Sequence, residues 1–377
     1  MNAPFIYGKL ATDRNFTDRN AEIIQLTRNF ISGTNTIIIS PRRWGKSSLV
    51  KKTVGEVIES KEAIRFVFID MFNIRTEEEF YRVLLEKTIQ AVSGKIEDVI
   101  GNIRKFLKQW VPQISLSPDT NTKFTLQLNW KELKKHPDEI LDLPEKIAAA
   151  KGFRIILCVD EFQNIVFFDD PLAFQKKLRS HWQQHQLAAY CLYGSKRHMM
   201  MDVFTSPSMP FYKFGDLMFL ANIGRRYWRS FIMERFSDTG KNISPDHSDL
   251  IAELVDDHPY YVQQLAQQVW LRTNKTVKDE DLREAHQSLI LQMSMLFQNM
   301  TEVLTTTQIN FLKAVIAREK QLSSKETIAS YNLGTSANVA RLKKTLISRE
   351  IIDEDVGKIT ILDPLFSFWL KNIYFAD

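Results

Sequence analysis

The chain has 377 residues, enough for two or three domains, and its apolar share of 44% is that of an ordinary globular protein. Its 50 Lys and Arg against 45 Asp and Glu leave only +5 over the whole length. Net charge therefore gives no ground for a nucleic-acid partner, which has to be argued from a local surface. The start lacks a charged segment leading into an apolar one, and no stretch approaches about 18 uncharged apolar residues, so we expect a cytoplasmic protein without a membrane span. Cys158 and Cys191 each sit in an apolar, strand-like run without metal-type spacing. Buried, reduced thiols are the expectation.

In chain order, the segment from Phe16 to Glu22 leads into Ile23, Ile24, Leu26 and Phe30 at helical spacing, with Thr17 or Asp18 as the expected N-cap. The apolar run Thr36 to Ser40 follows, then a turn, then Leu49, Val50, Val54, Val57 and Ile58 at helical spacing. The turn comprises Ser40, Pro41, Arg42, Arg43, Trp44, Gly45, Lys46, Ser47 and Ser48. It matches the phosphate-binding pattern G-x-x-x-x-G-K-[ST] except at Ser40, where the pattern has glycine. Backbone N–H groups in such a loop wrap phosphates, the lysine reaches their oxygens and the hydroxyl holds Mg²⁺. With Ser at the first position the turn must use ordinary dihedrals there. In P-loop ATPases the segment before the loop flanks the adenine, which makes Phe16 and Arg19 candidate base contacts; the other reading is a helix that merely covers a sheet edge.

Ile64 to Asp70 reads as a strand buried on both faces, and Thr76 to Trp110 as helical. Alternation at Phe124, Leu126, Leu128 and Trp130 suggests a short hairpin or edge strand inside an insertion at 111–135. Arg154 to Glu161 is an apolar strand ending in two acids, the Walker B arrangement. Asp160 would support Mg²⁺ and Glu161 would polarise the attacking water. Gln163 or Asn164 can reach the loop of a neighbouring strand. Leu187 to Tyr193 is a further buried strand ending in Gly194-Ser195, and Ser195 either senses the γ-phosphate or merely makes a turn. Phe214 to Ala221 completes five strands alternating with helices, which predicts a parallel sheet with the nucleotide at its carboxyl edge. Arg225, Arg226 and Arg229 then open an amphipathic helix. They are either arginine-finger candidates, in cis or from a neighbouring subunit of a homo-oligomer, or a solvated basic face.

Together Phe16-Thr-Asp-Arg19, the Ser-Pro-Arg-Arg-Trp-Gly-Lys-Ser loop, Val-Asp-Glu-Phe-Gln163, Tyr-Gly-Ser195 and His258-Pro-Tyr-Tyr-Val-Gln263 resemble the archaeal-type ATPases of the AAA+ and STAND group. The resemblance implies ATP or ADP with Mg²⁺, an ATPase core, a helical lid that places Pro259 near the nucleotide, and a C-terminal winged helix. The expected fold class is α/β, a P-loop NTPase with an AAA+-like five-stranded parallel sheet, followed by an all-α lid and a winged helix-turn-helix. Expected bounds are 1–236 for the core, 237–300 for the lid and 301–377 for the winged helix.

In that last segment the third helix carries Arg341, Lys343, Lys344 and Arg349 with no acid between Thr335 and Arg349. Such a face suits DNA phosphates. Against it stand Asp353, Glu354 and Asp355 in the hairpin, and a balance over 301–377 of ten Lys or Arg to nine Asp or Glu. DNA binding and protein docking are both open from these residues. Function stands as a slow switch ATPase, with a nucleotide-holding interaction module or a DNA-binding loader as alternatives.

Overall fold

The computed structural model describes residues 3–93, 115–118, 124–127, 136–355 and 357–376. Five strands form one parallel sheet: β1 (Thr36–Ile39), β2 (Ile64–Asp70), and, after the antiparallel pair β3 (Ser115–Pro118) and β4 (Phe124–Gln127), β5 (Arg154–Asp160), β6 (Ala188–Gly194) and β7 (Asp216–Phe219). The order is β2-β5-β6-β1-β7. The central strands β1 and β6 are buried along their whole length and β5 at all but its two end residues, which is why they read as continuous apolar runs rather than as alternation. The edge strand β7 buries Met218 but leaves Leu217 and Phe219 exposed. The helical expectation at Val99 to Leu107, and the residues around the β3–β4 pair, lie outside the described residues.

Helices α1 (Asn20–Ser32), α2 (Lys46–Glu59), α3 (Glu77–Val92), α4 (Pro137–Leu141), α5 (Leu143–Lys151), α6 (Pro171–Trp182) and α7 (Arg197–Thr205) complete this unit. Neither Thr17 nor Asp18 caps α1. Asp18 and Arg19 both take left-handed backbone, at φ 61° and 72°, and Arg19 stands at the cap position without a side-chain bond to the helix amides. That double turn sends the Arg19 side chain inward instead.

An aromatic cluster locks the strand end that matters here. Phe162, directly after the two acids that close β5, is fully buried, with ring centroids 5.4 Å from Phe211, 5.6 Å from Phe204 and 6.2 Å from Trp182. Trp182 in turn stacks on Tyr190 of β6 at 4.0 Å.

The chain divides into two compact units, Arg19–Ala221 and a second made of Met1–Asp18 with Asn222–Asp377. This differs from the expected boundary near 236. Helix α8 (Arg225–Ser237) belongs to the second unit because Trp228, Phe231, Ile232 and Phe236 pack into its core, where Phe5 from the N-terminal segment joins them. Residues of the lid and of the winged helix pack into that same core. Helices α9 (Pro245–Glu253), α10 (Pro259–Arg272) and α11 (Asp279–Glu302) make the lid part. The winged-helix part is α12 (Thr306–Ile316), α13 (Lys325–Ser330), α14 (Ser336–Ser348), the hairpin β8 (Ile352–Asp355) and β9 (Lys358–Ile361), and α15 (Pro364–Trp369). Phe297 of α11 packs against both Phe366 and Trp369, at 5.3 and 5.9 Å. The Tyr261 hydroxyl donates to Asp363 at 2.6 Å, tying α10 to the start of α15.

Replacing Phe162 with Ala removes the ring that anchors the turn after β5. Urea denaturation of Phe162→Ala is expected to show a loss of about 3–5 kcal/mol. A loss below about 1 kcal/mol means that the cluster collapses around the gap.

Candidate active site

The carboxyl edge of the sheet gathers the chemistry. Strand β1 ends at Ile39, the loop turns through Arg43 at φ 63° and Gly45 at φ 90°, and α2 begins at Lys46. Positive φ thus falls on Arg43 and Gly45, not on Ser40. That is why serine is tolerated where the pattern has glycine. No heavy atom lies within 4 Å of a β-carbon placed on Gly45, so its glycine is required by backbone angle rather than by space. The first helical bond runs from the Leu49 N–H to the Gly45 carbonyl. The amides of Lys46 to Ser48 therefore lie in the helix's opening turn, where the peptide dipoles favour an anion.

Lys46 is buried, 6% exposed. Its Nζ donates to the Ser40 carbonyl at 3.0 Å, to Ser40 Oγ at 3.3 Å and to the Pro41 carbonyl at 2.9 Å. The loop's own oxygens thus hold the ammonium. Ser47 Oγ donates to Asp160 Oδ2 at 2.7 Å, joining the phosphate loop to the end of β5. The other oxygen, Asp160 Oδ1, accepts from the Glu161 amide at 2.8 Å. Burial pushes the Asp160 carboxyl up to about 6, with the Glu161 charge adding to the rise and the Ser47 bond opposing it. A hydroxyl and a carboxylate meeting in this way are the hard oxygen donors Mg²⁺ takes, so the residues present fit that ion.

Glu161 stands in left-handed backbone at φ 52°, and its Oε2 accepts from Ser195 Oγ at 2.9 Å and from the Gln163 amide nitrogen. Asn164 does reach the neighbouring strand end, donating to the Met71 carbonyl at 3.1 Å; Gln163 instead turns back on Glu161. Arg19, 3% exposed, donates to Glu22 at 3.0 Å and reaches the Trp44 carbonyl at 3.5 Å, so it braces the loop from α1.

Comparison with solved structures gives full-length matches. The Walker-type ATPase PABY2304 of Pyrococcus abyssi aligns at 18% identity with a TM-score of 0.68, covering 98% of this chain and 99% of that one. The ORC2 protein of Aeropyrum pernix, solved as ADPNP–ADP complexes, aligns at 15% identity with a TM-score of 0.59, covering 98% of each chain. A family described as "Probable winged helix domain" matches residues 295–372. No curated protein matches the chain in sequence. The chain has the fold of a Walker-type ATPase with a C-terminal winged helix.

Within this ATPase fold the structure brings Ser40, Lys46, Ser47, Asp160, Glu161 and Ser195 together, with Arg19 behind the loop. Arg42 and Arg43 are exposed, and Pro41 and Trp44 half-buried. Phe16, half-buried, falls in the segment grouped with the second unit. So does Pro259, which is buried at the first turn of α10. Arg225 there makes a bidentate pair with Asp257, at 2.6 and 2.9 Å, and donates to Glu253 at 3.2 Å. Arg226 donates to the Tyr227 hydroxyl at 2.7 Å, and Arg229 pairs with Asp249. Among the described residues no helix is long and apolar enough to cross a membrane.

The raised Asp160 carboxyl makes a stability prediction with a definite sign. Its folded value of about 6 exceeds the ordinary 3.8, so the folded state binds more protons across that window and stability falls as pH rises through it. The full penalty above pH 6 is about 3 kcal/mol. Without nucleotide, Asp160→Asn is expected to be more stable than wild type at pH 7.5, with the gap closing toward pH 4. Urea midpoints at the two pH values check this, and a pH-independent gap contradicts it.

Proposed function

We propose that the chain binds ATP and hydrolyses it slowly, as a STAND-type switch whose nucleotide state is passed to the winged helix. The observation that carries this is the 2.7 Å bond from Ser47 to Asp160, which sets the loop hydroxyl and the first acid of β5 at one point with Glu161 next in sequence. Lys46 would exchange its loop carbonyls for phosphate oxygens, and the opening amides of α2 would take the rest of the charge. Mg²⁺ held through Ser47 and Asp160 would neutralise charge on the phosphates. Glu161 would take the proton of the attacking water, its carboxylate held by Ser195 and Gln163. The unbridged, buried Cys158 and Cys191 support a reducing, cytoplasmic setting. The single core shared by lid and winged helix supports transmission, because a displacement of α10 carries α14 with it.

Phosphate release by wild type, Lys46→Ala and Glu161→Gln tests the reading. Wild type is expected to exceed both variants at least tenfold, with Glu161→Gln still binding nucleotide and Lys46→Ala binding it weakly. Equal release from all three leaves a nucleotide-holding interaction module.

A second reading concerns the partner. Arg341, Lys344 and Arg349 are exposed on and just after α14, whereas Lys343 is committed to Glu354 of the wing at 2.8 Å. That pair removes one cation and one of the acids that argued against a phosphate backbone. We propose duplex DNA as the ligand of this face. With three phosphates contacted, the slope of log affinity against log salt is expected near about −2.7. Absence of binding at low salt leaves protein docking as the role of the domain.

A further inference from the structure

The turn after β5 contains a buried amide that the sequence pattern leaves without a role. Gln163 is fully buried, and its Nε2 donates to Glu161 Oε2, the oxygen that also accepts from Ser195 Oγ. Its Oε1 is buried and has no hydrogen-bond partner among the described residues. Leaving a buried amide oxygen unpaired is unfavourable, so the bond from the other end of the same amide has something to offset. The opposite orientation of the amide would set Oε1 against the Glu161 carboxylate, oxygen to oxygen. Chemistry alone thus decides which end faces Glu161.

The surroundings leave the side chain no other place. Phe162 before it is wedged among Phe204, Phe211 and Trp182, and Asn164 after it is bonded to the Met71 carbonyl. Between these anchors Gln163 lies over Gly194, the last residue of β6. A β-carbon on Gly194 would run into Gln163 Oε1, and would also sit 2.9 Å from Met200 Sδ. Gly194 has no positive φ to explain it. The missing side chain is therefore explained by the space Gln163 fills, one residue before the Ser195 that shares its acceptor.

Taken together, we infer that Gln163 is the positioning residue for Glu161: it fixes the carboxylate against Ser195 across a gap that Gly194 keeps open. The inference deepens the ATPase reading of the same site and rests on it. Glu161 alone stands on a left-handed residue with a flexible side chain, and two donors on one oxygen restrict it to one rotamer. Ser195 by itself leaves the carboxylate free to swing about that bond.

The test compares wild type with Gln163→Met, which keeps the length of the side chain and removes both polar ends, and with Gly194→Ala, which forces the glutamine out. Three measurements are made on the full chain: ATP affinity, the rate of phosphate release at saturation, and amide hydrogen exchange of the nucleotide-free protein over residues 160–167. Gln163→Met is expected to bind ATP within about twofold of wild type, to release phosphate at least tenfold more slowly and to exchange faster across 160–167 only. Gly194→Ala is expected to reproduce the rate loss. A wild-type rate together with wild-type exchange in Gln163→Met overturns the inference. Faster exchange at an unchanged rate overturns it too, because it makes the contact structural only. If wild type itself releases no more phosphate than Glu161→Gln, the ATPase reading fails, and exchange across 160–167 then decides by itself whether Gln163 holds Glu161.

Discussion

Charge at the end of a buried strand is the constraint on which the site depends. Apart from its first residue, strand β5 is buried until it reaches Asp160, and two carboxylates follow in succession at the point where the sheet ends. Each must find donors there or remain protonated. Asp160 is met by the Ser47 hydroxyl and by the Glu161 amide, and Glu161 by Ser195 and Gln163. Those donors come from α2, from the residue that follows β6 and from the turn itself. Satisfying two acids thereby pulls loop, strand and turn into one arrangement. The phosphate loop solves the converse problem, a buried ammonium, with its own carbonyls.

The second unit is organised by apolar packing rather than by charge. Its core runs from Phe5 through α8, the lid helices and the winged helix to Leu370. The long helix α11 buries Leu282 and Leu289 in this core and packs Phe297 against Phe366 and Trp369. Lid and winged helix thus contribute to one apolar core. The ion pairs of Arg225 with Asp257 and of Arg229 with Asp249 knit the same unit by joining α8 to α9 and to the turn that follows it.

Strands, helices and the phosphate loop were legible because each is written in local pattern. Continuous apolar runs, helical spacing and G-K-S each occupy a few adjacent residues, and burial or backbone geometry acts on them directly. The N-cap of α1 was missed because two left-handed residues in succession, Asp18 and Arg19, override the side-chain preference of Thr17. Helix α8 falls inside the expected core bound of 236 but is grouped with the second unit, for a similar reason. An amphipathic stripe says that a helix has a partner, not which partner, and Trp228 and Phe236 meet Phe5 and the lid rather than a strand.

By itself the sequence determined the class of fold, the phosphate loop, the acids that close β5 and the succession of helices and hairpin at the C-terminus, since all of these rest on spacing within one segment. Tertiary structure alone decided that Ser40 needs no glycine geometry, that Ser47 meets Asp160, that Gln163 turns back on Glu161 over Gly194, and that lid and winged helix share a core. These are contacts between residues 2 to 113 positions apart in the chain or choices among rotamers, and they are settled by which buried polar groups must be paired and which apolar faces must be covered.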